Sequence, residues 1–131
     1  MLACNSIIRL SVYVCIEKVL LNTDTFCAWY KNQLQTQDFR CHYCETSIFD
    51  INRLIDAGKL KTRKTGYGVR GRTLEIDKKE NDLGYIEMNC VLSCYYCNND
   101  KSYIFDDETY KQFFGPAKRK YFESLLKNGN Q

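Results

Sequence analysis

The sequence predicts an α+β fold of short strands and helices organised around a four-cysteine zinc site. Three observations point there. Cys41-His42-Tyr43-Cys44 and Cys94-Tyr95-Tyr96-Cys97 are two C-x-x-C pairs separated by 49 residues. Short runs with strand patterning lie between longer runs with helical spacing. The 131 residues are 44% hydrophobic and 27% charged, the composition of a globular chain with room for a single domain. Within that domain, residues 1–37 read as a strand-and-helix extension, 38–115 as the zinc-binding core and 116–131 as a C-terminal helix.

The elements follow in chain order. Ile8, Leu10, Val12, Val14 and Ile16 alternate with more polar neighbours, which predicts a strand. Asn22, Thr23 and Asp24 offer N-caps, and Phe26, Trp29, Tyr30, Gln33 and Leu34 then keep helical spacing to about Gln37. That aromatic stripe reads as core. A second helix is expected over 47–57, with Ile48, Ile51, Leu54 and Ile55 on one face and Gly58 as its stop. Glycines 66, 68 and 71 punctuate a basic arm. Two strands are expected over 72–76 and 90–93, joined by a polar loop over 78–88. A helix should begin near Cys97 and another after Asp106, where Asp106, Asp107 and Glu108 suit a helix N-terminus. Gly115-Pro116 is expected to break that helix before a last one over 117–127.

The cysteines carry the strongest signal. Each C-x-x-C knuckle offers two thiolates to one metal, and two knuckles complete a zinc tetrahedron through Cys41, Cys44, Cys94 and Cys97. Four thiolates leave no open position, so the zinc is structural and its binding is part of the folding free energy. Cys90 is an alternative ligand, although its C-x3-C spacing to Cys94 suits a knuckle less well. Cys4, Cys15 and Cys27 read as small core side chains. The single histidine, His42, excludes mechanisms needing two imidazoles within the chain. Lying between two ligands, it reads as exposed and incidental.

Residues 6–21 are apolar-rich but carry Arg9, Glu17 and Lys18, which suits neither a membrane span nor a signal peptide. The expectation is a cytoplasmic chain with no membrane partner and reduced cysteines, which favours metal over disulfides. Net charge is only +3. Its distribution says more. Residues 57–74 contain Lys59, Lys61, Arg63, Lys64, Arg70 and Arg72 and no acid, whereas residues 75–87 contain five acids against Lys78 and Lys79. A basic arm beside an acidic cluster suits a phosphate-binding metal site.

The string LEIDKKENDLGYIEMNCVLSCYYCNNDK, with CHYC upstream, resembles the HNH endonuclease family, the ββα-metal nucleases with zinc knuckles. On that resemblance Asp77 matches the family's Asp, Asn89 its middle Asn, Asn98 the His or Asn directly after the second knuckle, and Lys101 the trailing Lys. Where the family has a general-base His, this chain has Lys78. The run Asp77-Lys78-Lys79-Glu80, followed by Gly84-Tyr85 and Asn89, is similar to a subfamily that reads Asp-Arg-Ile-Asp before Gly-Tyr and Asn. The resemblance implies an endonuclease that hydrolyses DNA phosphodiesters, of the kind phages and mobile elements carry.

The chemistry points the same way. Phosphodiester hydrolysis needs a divalent cation to neutralise transition-state charge. Mg²⁺ or Mn²⁺ accepts one carboxylate and one amide oxygen and keeps its waters, so Asp77 and Asn98 are the expected ligands. Asn89 is expected to hold a loop. An activated water needs a base. Lys78, with acids beside it, suits that role poorly, which makes Glu80 or a metal-bound hydroxide the better candidate. The basic arm, with Lys101, would hold phosphates. The alternative is a zinc module that binds nucleic acid or a protein partner without cutting it.

Overall fold

A computed structural model of the chain describes residues 23–128. The strand expected over 8–16, together with Cys4 and Cys15, lies outside the described residues. Helix α1 (Thr23–Thr36) follows the predicted span. Phe26 and Tyr30, one turn apart, are buried, and the Tyr30 hydroxyl donates to the Leu74 carbonyl at 2.7 Å. Cys27, expected as a free core thiol, is only partly buried and is disulfide-bonded.

Beyond α1 the chain turns into the first knuckle. Gln37 anchors that turn by pairing its side-chain amide with Leu92: Oε1 accepts the Leu92 N–H at 2.9 Å and Nε2 donates to the Leu92 carbonyl at 2.8 Å. One amide side chain thus satisfies both backbone groups of a strand residue, as a neighbouring strand would. Helix α2 (Ile48–Asp56) is capped by Ser47, whose hydroxyl accepts from the Asp50 N–H at 3.1 Å. It buries Ile48, Ile51 and Leu54. Gly58, at φ +72°, ends the helix in a conformation that a Cβ disfavours.

The basic arm is a β-hairpin that its lack of apolar alternation conceals. β1 (Arg63–Thr65) pairs antiparallel with β2 (Gly68–Arg70). β3 (Glu75–Lys78) and β4 (Cys90–Ser93) form a second antiparallel pair, with Glu75 opposite Ser93 and Asp77 opposite Val91. β3 starts three residues later than expected because its partner ends at Ser93, where Cys94 turns to cap the next helix. Arg72 is meanwhile drawn aside onto Asn52 and Asp56.

Helix α3 (Tyr95–Lys101) starts two residues before the expected Cys97, directly after the Cys94 cap. Asp106 caps the short α4 (Asp107–Thr109). A π-helical turn (Tyr110–Phe114) then runs directly into α5 (Gly115–Lys127). Gly115-Pro116 was expected to break the helix and does not. The Gly115 N–H reaches back five residues to the Tyr110 carbonyl. The wider turn accommodates the proline, whose ring and missing N–H an α-helical interior would not tolerate. The core lies between the β3–β4 pair and the helices, around Phe26, Ile51, Leu74, Leu92, Tyr110 and Phe122. Among the described residues, no helix is long and apolar enough to cross a membrane.

Candidate metal centre and active site

The four knuckle cysteines converge as their spacing predicts. Cys41, Cys44, Cys94 and Cys97 are buried, and their Sγ atoms all lie within 4.8 Å of one another. Zn–S bonds of ~2.3 Å in a tetrahedron require sulfurs about 3.8 Å apart, so the cluster fits zinc with little adjustment. The donor set also argues for a cation, since four buried sulfurs this close cannot all be thiolates without one. Backbone amides already point at the sulfurs: the Tyr43 N–H donates to Cys41 Sγ and the Cys97 N–H to Cys94 Sγ, each at 3.4 Å. Cys90, on β4, is buried but stands outside this cluster.

The first knuckle is fastened from two sides. The His42 N–H donates to the Leu92 carbonyl on β4 at 3.0 Å. From α5, Arg119 donates through Nε to the Cys44 carbonyl at 3.1 Å and pairs with Glu45 at 2.7 Å. The helix can approach because Gly115 carries no side chain; a Cβ there would stand 2.3 Å from the Tyr43 carbonyl oxygen. His42 is not the exposed residue the sequence suggested. Its Nε2 lies 2.7 Å from Asp107 Oδ1, with side-chain exposure of only 17%, and burial lowers its pKa from the ordinary value against the raising effect of Asp107.

The second knuckle sets the register of a polar seam. Alternation along β3 places Glu75 and Asp77 on one face. Asn98 and Lys101, three residues apart on α3, meet that face. Asn98 Nδ2 donates to Glu75 Oε1 at 3.0 Å, and Lys101 Nζ lies 3.3 Å from Asp77 Oδ2. Asp77 also accepts the Tyr43 hydroxyl at 2.5 Å. Burial raises the Asp77 pKa, while Tyr43 and Lys101 both pull it down. Glu75 is closed over by Arg70, which donates through Nε at 2.9 Å and Nη2 at 2.6 Å and lies 4.8 Å above the Tyr95 ring.

The two residues expected to share a cation therefore do not bond each other: Asn98 is joined to Glu75, and Asp77 to Lys101 and Tyr43. Lys101, expected to face phosphate, is wholly buried and also donates to the Lys78 carbonyl at 2.9 Å. Lys78 lies on the opposite face of β3 from Asp77, with Nζ on the Asn81 carbonyl at 3.1 Å and over the Tyr85 ring. Asn89 holds the loop. Its Oδ1 accepts the Glu80 N–H, and its Nδ2 donates to the carbonyls of Glu80, Leu83 and Gly84. The Glu80 side chain is exposed.

The basic arm divides in two. Lys59 is spent on the Leu125 carbonyl at 3.0 Å, Arg70 on Glu75, and Arg72 on Asn52 and Asp56. Lys61, Arg63 and Lys64 are exposed. Glu75 and Tyr43 are the site residues that the sequence did not single out, and Arg70, expected to hold phosphate, instead covers Glu75. The available signal was the period of two that sets Glu75 beside Asp77.

Two antiparallel strands, with the second C-x-x-C knuckle leading into a helix against them, make up a ββα arrangement. The chain is similar to a solved structure of the rare-cutting HNH restriction endonuclease PacI, with a TM-score of 0.60 and 28% sequence identity. The core has an HNH-like fold. The likeness covers 79% of this chain but 65% of that enzyme's chain. No family model matches the sequence, and no curated protein does. In the HNH-like core the four cysteines stand where one metal ion could tie the first knuckle to the strand–helix unit.

Proposed function

We propose that the chain is an HNH-like, metal-dependent endonuclease that hydrolyses DNA phosphodiester bonds, with a structural zinc at Cys41, Cys44, Cys94 and Cys97. The observation that carries this reading is the seam in which Asn98, fused to the second knuckle, meets the carboxylate of Glu75 on β3. Rotation of the Asn98 amide, whose Nδ2 now donates to Glu75, would present its oxygen beside that carboxylate, and one carboxylate with one amide oxygen suits Mg²⁺ or Mn²⁺. Asp77 was the expected carboxylate, but the Lys101 ammonium and the Tyr43 hydroxyl occupy it. We therefore assign the cation to Glu75 and Asn98 and give Asp77 and Lys101 the task of fixing β3 against α3. The bound cation would neutralise charge on the phosphoryl oxygens and on the leaving oxygen.

The chain's own residues supply the rest. The zinc knuckle holds Asn98 at the start of α3, where the helix cannot shift without disturbing the thiolates. Asn89 holds the loop that leaves β3. Arg70 is bidentate on Glu75 and 23% exposed. A phosphate competes for such a guanidinium in the same fork geometry, so substrate would draw Arg70 outward and uncover Glu75.

The second reading, a module that binds nucleic acid without cutting, draws on the same contacts: side-chain cations already neutralise both buried carboxylates. Plasmid cleavage with zinc-loaded protein separates the two. Nicking in Mg²⁺ or Mn²⁺, lost in Glu75→Gln and Asn98→Ala, supports the nuclease. Intact plasmid under every divalent cation, or cleavage indifferent to both substitutions, sinks it. Titration with Mn²⁺ then reports whether the seam holds a cation at all.

A further inference from the structure

We infer that the β1–β2 hairpin is a rigid ribbon that enters the major groove of duplex DNA and so delivers a phosphate to the Glu75–Asn98 seam; this rests on the nucleic-acid reading above and gives it a substrate form.

The hairpin and its root carry a cluster of cations whose charge is unspent. Lys61, Arg63 and Lys64 are exposed and hold no ion pair among the described residues, while the other bases of the arm are tied to acids or carbonyls. Its tip adds the exposed Tyr67 and Val69, apolar surface of the kind that meets base edges and thymine methyls. No acid occurs between Ala57 and Leu74, so a polyanion meets no repulsion along the ribbon.

A two-stranded ribbon standing alone is marginal in water, so this one must be held. At the tip the Thr65 hydroxyl donates to the Gly68 carbonyl at 2.9 Å and accepts from the Tyr67 N–H at 3.3 Å. At the root the Tyr96 hydroxyl donates to the Lys61 carbonyl at 2.9 Å. Gly71, at φ +129°, lets the chain pass close to Tyr96, where a Cβ would meet the hydroxyl at 3.3 Å. Arg70 closes the other strand onto Glu75. Both strands are thus clamped to α3 and β3, and the ribbon reaches its partner already ordered, which lowers the entropy cost of binding.

Its size selects the groove. Three residues per strand at ~3.4 Å rise give a ribbon about 10 Å long, with strands ~4.8 Å apart. The major groove of B-DNA, ~12 Å wide and ~8.5 Å deep, admits a two-stranded ribbon without distortion, whereas the ~6 Å minor groove would first have to be widened. The deep, narrow major groove of A-form RNA excludes it. Arg63 pairs in register with Arg70, the residue covering Glu75, so an inserted ribbon sets the adjoining backbone phosphate beside the seam.

Fluorescence anisotropy with a labelled 24-base-pair DNA duplex, without added divalent cation, tests this separately from cleavage. Arg63→Ala with Lys64→Ala should weaken binding roughly tenfold or more at 0.1 M salt and lower the salt slope by about two. Lys31→Ala with Lys120→Ala, an equal charge change on α1 and α5, should leave both nearly unchanged. Guanine N7 methylation of the duplex should block binding, netropsin should not, and duplex RNA should bind at least tenfold more weakly. Wild-type affinity in the hairpin variant, displacement by netropsin or equal affinity for duplex RNA overturns the ribbon assignment and leaves the nuclease reading to the plasmid assay. Absence of binding to any nucleic acid by the unaltered protein overturns both.

Discussion

Lys101 and Asp77 form a buried ion pair: the lysine side chain is wholly enclosed and its Nζ lies 3.3 Å from Asp77 Oδ2. The ammonium also donates to the Lys78 carbonyl, and the Tyr43 hydroxyl donates to the same aspartate oxygen. A pair so desolvated persists because every partner has one, and it welds α3 to β3 and to the first knuckle.

Removing one member should therefore cost much more than removing both. Lys101→Met is expected to destabilise by about 3–5 kcal/mol, since it leaves a buried carboxylate unpaired. Asp77→Asn combined with Lys101→Met should cost less than the sum of the single changes, measured by urea denaturation in a double-mutant cycle. The pH dependence has a definite sign. Burial already raises the Asp77 pKa, and loss of Lys101 removes an opposing pull. A raised carboxyl contributes stability below its unfolded pKa of about 3.9 and loses it as pH rises through the folded value. The Lys101→Met deficit should shrink as pH is lowered from 7 towards 4.

Zinc removal should unfold the core. Structural zinc contributes on the order of 10 kcal/mol of apparent binding energy, as much as a whole domain's net stability. The cluster at Cys41, Cys44, Cys94 and Cys97 should release one zinc on thiol modification, read by a colorimetric chelator. Chelation or Cys44→Ser should abolish the cooperative thermal transition seen by circular dichroism. A transition unchanged by strong chelators would show that the knuckles fold without metal.

Gly115→Ala should damage the protein although alanine is the better helix former. The new Cβ would stand 2.3 Å from the Tyr43 carbonyl oxygen, which is backbone and cannot rotate away. Either α5 lifts from the knuckle or the knuckle shifts. We expect a loss of about 2 kcal/mol or more, with faster zinc release, from the overpacking. An exposed control, Gln112→Ala, should be near neutral.

Arg70→Gln should change metal binding and DNA binding in opposite directions. Without the guanidinium, Glu75 and Asn98 face no competing cation, so Mn²⁺ affinity measured by calorimetry should rise several-fold. Affinity for duplex DNA should fall. A fall in both would mean that Arg70 only maintains the shape of the seam.

Much of the fold was legible because it is written in local chemistry. The helices expected over 47–57 and after Asp106 start at those residues, the aromatic stripe of α1 is core, and Asn89 holds its loop. Other features depended on what lay across the structure. The hairpin carries no apolar alternation because it packs against little, and a π turn absorbed the Gly115-Pro116 step.

The four-cysteine cluster was readable from spacing alone, because a C-x-x-C knuckle is a local geometry and two knuckles need only to meet. So was the placing of acids and amides of a nuclease-like motif on either side of the second knuckle. The partners of those side chains follow from long-range packing. Antiparallel pairing of β3 with β4 and the packing of α3 across them set Asn98 against Glu75 and buried Lys101 against Asp77. Which of two carboxylates on one face of a strand meets a given helix residue depends on a one-turn offset between elements, and core packing sets that offset.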